Sequence, residues 1–270
     1  MWFGIIISTV LGIHGYTRRK LTFFGSLCAC TVGIITSLCS GPFLLLLLVF
    51  YFTGTFLTKY KATVKHKMDY DASIQSTRSV SQVLACSFGG IVMAMCHFFT
   101  DENVFQLNSG NVFLIGYLAH YAACAGDTWA SELGMLSKSS PVLITNWWKT
   151  VPAGTNGGIT VWGTVASGMG GAVIGLTFCI WQSFMQMEVQ WSASLLLTML
   201  AGLGGSALDS LLGNVAQGTW YDNDKKQVHL HATAGCTLVA GRALLSNELV
   251  NLISVNGTMV VCMALAWMFL

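Results

Sequence analysis

The feature that most constrains this chain is where its basic residues fall among its apolar runs. Runs long enough to cross a bilayer, about 20 residues each with shorter ones tolerated, lie near 1–17, 21–40, 42–58, 80–99, 111–131, 158–182, 191–213 and 247–270. All 13 Lys and Arg fall in alternate connections between these runs. Arg18, Arg19 and Lys20 follow the first run, and Lys59, Lys61, Lys65, Lys67 and Arg78 follow the third. Lys138 and Lys149 follow the fifth, and Lys225, Lys226 and Arg242 follow the seventh. The remaining connections carry no basic residue, and Asp101, Glu102 and Glu188 lie there. Positively charged loops stay cytoplasmic. The pattern therefore predicts an all-α polytopic membrane protein, one domain over 1–270, with about eight spans, cytosolic site loops and both termini non-cytosolic. Run 1–17 has no basic segment before it and no small-residue cleavage site, so we expect a retained span rather than a signal peptide.

Composition agrees. The chain is 54% hydrophobic and 9% charged, with a mean hydropathy of +0.64, whereas soluble domains carry about 25% charged residues. Nine cysteines without a C-x-x-C pair read as small reduced core residues. Nucleic-acid binding is excluded, because the basic residues occupy short separate loops rather than a continuous stripe.

Against this background the polar clusters stand out. Asp127 and Glu132, with Thr128, Trp129 and Ser131, end the apolar fifth run, where carboxylates are costly to place. Three more clusters are 151–158, Asp209-Ser210 with Asn214, and Asn247-Glu248 with Asn251. On the topology above, all four face the cytosol. Gly163, Ser167, Gly171 and Gly175 recur every four residues, as do Ala201, Gly205, Asp209 and Gly213. Such spacing forms one narrow stripe on a helix and lets two backbones approach closely. Packing accounts for the glycines but not for a carboxylate on the seam.

Oxygen donors with few histidines suit Mg²⁺, which binds through one or two carboxylates and substrate phosphates. Asp127, Asp209 and Glu132 are the candidate ligands and catalytic acids. Asp127 and Glu132 point about 140° apart on an ideal helix, so sharing one ion requires a helix break or a partner span. Backbone amides of Gly154, Thr155, Asn156, Gly157 and Gly158 at a helix start suit a phosphate, and Lys149 can add a point charge. Asn214, Asn247 and Asn251 complete the candidate binding set. The glycine turn lacks the P-loop pattern. Trp147-Trp148 read as interface anchors, His120 as an interhelical hydrogen bond, and His229 and His231 beside Asp222 and Asp224 as solvated loop.

At Gly126-Asp127-Thr128-Trp129-Ala130-Ser131-Glu132-Leu133-Gly134 the chain resembles the transmembrane protein 19 family, catalogued as domain of unknown function 92. The resemblance extends to Phe52-Thr53-Gly54-Thr55-Phe56-Leu57-Thr58-Lys59, to Val151-Pro152-Ala153-Gly154-Thr155-Asn156-Gly157-Gly158, and to Leu208-Asp209-Ser210-Leu211-Leu212-Gly213-Asn214. Arg78, Gln82 and Ser246-Asn247-Glu248-Leu249-Val250-Asn251 fit as well. A plant relative in that family is a phytyl-phosphate kinase, and the family is distantly similar to CTP-using polyprenol and phytol kinases. The resemblance implies a lipid kinase that moves a phosphoryl group from CTP or ATP, with Mg²⁺, to a polyisoprenyl monophosphate. We expect the lipid tail between the small-residue faces of spans five to seven, and the protein in the endoplasmic reticulum or another endomembrane. The rival readings are an ion-coupled transporter or lipid scramblase, and a non-catalytic scaffold whose acids pair with Lys149 and Arg242.

Overall fold

The computed structural model describes residues 2–70, 77–100, 105–108 and 111–269. Helices α1 (Trp2–Thr17), α2 (Phe23–Cys39) and α3 (Gly41–Lys59) come first. The short α4 (Ala62–Lys65), α5 (Val80–Ala85) and α6 (Phe88–Phe99) follow. The long α7 (Val112–Gly134), α8 (Val161–Phe184), α9 (Trp191–Ala216) and α10 (Asn247–Phe269) close the chain. Of these, α3, α8, α9 and α10 are each long and apolar enough to cross a membrane. Asp101 and Glu102 lie outside the described residues.

The hub is α7. Apolar and small residues surround it on every side, so it is buried on every side: each residue of 114–126 is buried. Around it pack α3, α6, α8, α9 and α10. Tyr117 fixes α3, donating to the Phe43 carbonyl at 2.6 Å while stacking on the Phe43 ring.

Two expectations are corrected. The run 80–99 is broken at Cys86-Ser87 into α5 and α6. The Cys86 carbonyl freed by the break accepts from His120 Nε2 at 3.2 Å and Cys124 Sγ at 3.5 Å. Such a break is tolerated in apolar surroundings only when neighbours satisfy the exposed backbone; here α7 does so. The chain is also not purely helical. Strands β1 (Val142–Leu143), β2 (Asn146–Thr150) and β3 (Gly158–Ile159) form an antiparallel sheet in the order β2-β1-β3. Strands β4 (Thr219–Asp222), β5 (Gln227–His229) and β6 (Cys236–Ala240) form a second in the order β5-β4-β6. Strands of two to five residues are too short for alternation to register in sequence.

All four basic connections gather at one end. Arg78 N donates to Lys20 O at 2.8 Å, Val228 N to Met68 O at 2.8 Å, and Lys149 Nζ to Val239 O at 3.1 Å. The opposite end is tied by Gln182 Nε2 to Phe105 O at 2.6 Å and Leu107 N to Gln190 Oε1 at 2.7 Å.

The glycine stripes serve three helices rather than two. A Cβ on Gly202 would lie 2.6 Å from Ser167 O and 3.0 Å from Gly171 Cα, and one on Gly126 would lie 2.5 Å from Gly202 Cα. The backbones of α7, α8 and α9 therefore touch, as small residues permit. Beside this seam, Lys65 is 4% exposed and forms an ion pair with Glu132. It also donates to Leu57 O at 2.7 Å and Thr58 O at 3.0 Å, while Thr58 Oγ1 donates to Glu132 Oε1 at 2.8 Å. Glu132 thus joins α3, α4 and α7 through Thr58 and Lys65, the side-chain partners it has among the described residues.

Two adjacent glycine positions test the seam. Alanine is the better helix former by about 1 kcal/mol, so Gly204→Ala, whose nearest neighbour is Thr258 Cγ2 at 3.7 Å, holds or raises the thermal midpoint of detergent-solubilised protein. Gly202→Ala lowers it, because overpacking costs about 1–3 kcal/mol. Glu132→Gln strands the Lys65 ammonium and costs about 3 kcal/mol. In a Lys65→Met background the same change costs far less; equal losses in both backgrounds would show the two residues uncoupled.

Candidate functional site

A cleft of about 220 Å³ opens between the C-terminal halves of α7 and α9, the start of α8 and the turn before it. Asp127 and Asp209 both line it, as does Asp69 from the basic connection after α3. Their convergence follows from the seam. Asp127 directly succeeds Gly126, and Asp209 lies one turn beyond Gly205, whose missing Cβ leaves room for Ala123 of α7. Ser254 of α10 donates to Asp209 Oδ2 at 3.0 Å. No Lys or Arg is among the described lining residues, so Asp127 and Asp209 share the cleft with no cation lining it.

The turn 151–158 forms one wall, by different chemistry from that expected. The amides of Thr155, Asn156 and Gly158 are donated inside the protein, to Pro152 O at 3.2 Å, Thr219 Oγ1 at 3.2 Å and Thr155 O at 2.9 Å. They are engaged, so these three do not form a phosphate cradle. Gly157 has φ +76°, and a Cβ there would lie 2.3 Å from Asn214 Cβ; only glycine combines that conformation with that contact. What the turn offers the cleft is Asn156, whose Nδ2 is buried with no hydrogen-bond partner among the described residues. Thr160 caps α8 by accepting from Gly163 N at 2.9 Å.

Several expected residues lie outside the cleft. Lys149 is exposed on β2 and bonds Val239 O, with Trp147 and Trp148 projecting beside it at 71% and 96% exposure. Asn214 donates to Thr145 Oγ1, and Asn247 Oδ1 accepts from Gln217 Nε2 at 3.4 Å; both brace connections. The Asn251 carbonyl accepts from Ser254 Oγ at 3.2 Å, so Asn251 neighbours the Asp209 partner without lining the cleft.

A second cavity of about 330 Å³ lies between α1, α2, α3 and α5. Its walls are apolar, with Leu11, Val32, Leu44 and Phe50 among them, and Lys20, Lys59 and Arg78 also line it. Partial burial, then the neighbouring Lys59, and then the charges of Arg18 and Arg78 hold the Lys20 ammonium below the usual lysine range. Among the described residues no acid lines this cavity, so three cations border an apolar space. Thr58 lines this cavity and bonds Glu132, the residue after Ser131, which lines the acidic cleft. That hydrogen bond links a lining residue of this cavity to the chain neighbour of a residue that lines the cleft. Asp69, Ser254 and the Lys20–Lys59–Arg78 cluster were missed in sequence; the visible signal was an acid, Asp69, inside a basic connection.

Comparison with known proteins places the chain. The family described as "Integral membrane protein DUF92" matches residues 6–259. Protein PGR of Arabidopsis thaliana is 33% identical over 265 residues, covering 94% of this chain and 91% of that protein. The uncharacterized membrane protein MJ0933 of Methanocaldococcus jannaschii is 30% identical over 79% of this chain and 82% of its own length. Protein VTE6, chloroplastic, of Arabidopsis thaliana is 26% identical over 76% of this chain and 60% of its own length. No solved structure matches. The chain is a helical integral membrane protein of the DUF92 family.

Proposed function

We infer that this protein is a membrane-embedded kinase acting on a polyisoprenyl monophosphate. The observation that carries the reading is the pairing of two unlike spaces near one hydrogen-bonded wall. One is an acidic cleft without a basic residue, and the other an apolar cavity with three cations along its lining. A prenyl phosphate matches the second in both parts, its chain in the apolar space and its phosphate against Lys20, Lys59 and Arg78. The gathering of the basic connections at this end supports a cytosolic face for both spaces, where a nucleoside triphosphate, CTP or ATP, is available.

Asp127 and Asp209 fit Mg²⁺, since uncompensated carboxylates in a polar cleft are the donor set that ion takes beside phosphate oxygens. The ion, when bound, neutralises charge on the transferring phosphoryl group. The chain's own residues do the rest. Ser254 orients Asp209, Asn156 Nδ2 supplies a hydrogen-bond donor at the cleft wall, and Arg78 and Lys20 hold the acceptor phosphate. Phosphoryl transfer demands positioning and charge neutralisation rather than a covalent intermediate. The products are the lipid diphosphate and a nucleoside diphosphate. Family membership with VTE6 and the resemblance to prenol kinases support this reading.

Purified protein in detergent should convert a prenyl monophosphate with CTP or ATP only when Mg²⁺ is present. Asp127→Asn and Asp209→Asn each lower kcat/KM by about 100-fold or more, because a metal clamp contributes several kcal/mol to the transition state. Arg78→Gln acts on the acceptor, raising KM for the lipid about tenfold with a smaller change in kcat. Full activity in the Asp127→Asn protein would refute the assignment. Absence of both turnover and thermal stabilisation by CTP–Mg²⁺ would favour the ion-coupled transporter, whose specific support is the helix broken at Cys86.

A further inference from the structure

We propose that the outer sheet β4–β5–β6 carries a zinc site formed by Asp222, His229 and Cys236, distinct from the acidic cleft. Strand register sets it up. Asp222 of β4 pairs with Cys236 of β6, and Trp220, two residues earlier on β4, pairs with His229 of β5. Side chains alternate along strands with period two, and partners across a ladder share a face. Asp222, Cys236 and His229 therefore lie on one face, and their donor atoms all fall within 4.8 Å of one another. Around tetrahedral zinc, donors at bond lengths of roughly 2.0–2.3 Å sit roughly 3.3–3.8 Å apart, so small side-chain rotations close the site.

A second observation points to a missing ligand. His229 is 5% exposed, and its Nε2 is buried with no hydrogen-bond partner among the described residues. A buried polar atom left unpaired is costly, and a metal ion gives that lone pair a partner. The ring is already oriented, stacked on Tyr70 at 4.6 Å between centroids. Asp222 is ordered as well: its Oδ1 accepts from Asp224 N at 2.9 Å and Lys225 N at 3.0 Å. Cys236 carries a free thiol. A set of one imidazole, one thiolate and one carboxylate selects a borderline-soft ion over Mg²⁺ or Ca²⁺. Water completes the coordination on the side where the Asp222 side chain is 14% exposed.

The role is structural. Val228, beside His229 on β5, points from the opposite face, where it is 1% exposed and meets Gly154 of the cleft wall. Binding zinc on one face of the sheet holds the other against the turn 151–158.

The test uses the full chain, stripped with a chelator and reloaded with a single metal. Zn²⁺ should bind at one equivalent per chain by elemental analysis, undisturbed by excess Mg²⁺. Co²⁺ should give a thiolate-to-metal charge-transfer band, which Cys236→Ser abolishes, and His229→Ala should weaken binding at least about tenfold. If either variant misfolds, alkylation of the unaltered protein decides: Zn²⁺ should slow modification of Cys236, mapped by mass spectrometry. Absence of the cobalt band, an unchanged zinc content in a variant carrying both Cys236→Ser and His229→Ala, or Cys236 alkylation indifferent to Zn²⁺ would each overturn the site.

Discussion

Everything at the end that gathers the basic connections depends on backbone contact between α7, α8 and α9. Gly126, Gly171 and Gly202 remove the side chains that would hold three helices apart, and close van der Waals packing is what drives helix association where lipid gives no hydrophobic force. The geometry then leaves little freedom. With Gly126 against Gly202, the next residue on α7 and the residue one turn past Gly205 on α9 face the same space, and both are aspartates. Two carboxylates brought together without a neighbouring cation oppose folding through desolvation and mutual repulsion. A structure built only for stability would place Asn or Ser there, so the contact reads as one that positions charge for a ligand.

How much of this was legible in the sequence divides along physical lines. Helix positions were, because an apolar run of bilayer length admits few other structures; apart from 80–99, each expected run matches a helix to within three residues at either end. The grouping of Arg18–Lys20, Lys59–Arg78, Lys149 and Lys225 at one end was legible for the same reason, since charge patterning encodes topology. Asp209 on a small-residue stripe was visible too. Glu132 was not, although its angle of about 140° from Asp127 already placed it on another face. Its partner Lys65 lies 67 residues away, in a stretch that reads as a topology signal. The glycine turn misled differently: glycines that free a backbone amide for phosphate and glycines that tighten a turn look alike until the hydrogen bonds are counted.

Under the proposed function, the two spaces suit an amphiphilic substrate better than a soluble one. The cavity beside α3 is walled by residues that solvate a hydrocarbon, and its cations fit a phosphate held at the level of the headgroups. Across the Thr58–Glu132 bond lies a cleft whose charge is opposite. A lipid phosphate and a metal-bound nucleotide would therefore be sorted to separate walls by electrostatics before any chemistry, and the Lys65–Glu132 pair holds those walls in register.

The outer sheet is a working part of that geometry. Gly154 adopts φ +89°, and a Cβ there would lie 2.8 Å from Val228 Cγ2, so the turn and β5 seat against one another. Asp69 joins the same contact, bridging to Val228 through its backbone while its residue lines the cleft. The turn that walls the cleft is thus backed by a sheet of three short strands with little core of their own. Strands of three to five residues are marginal alone, and order in this sheet must come from its faces. One face is supplied by Gly154 and Val228; the other holds Asp222, His229 and Cys236. Order in the turn 151–158 therefore passes through the packing of a sheet that stands apart from the helices.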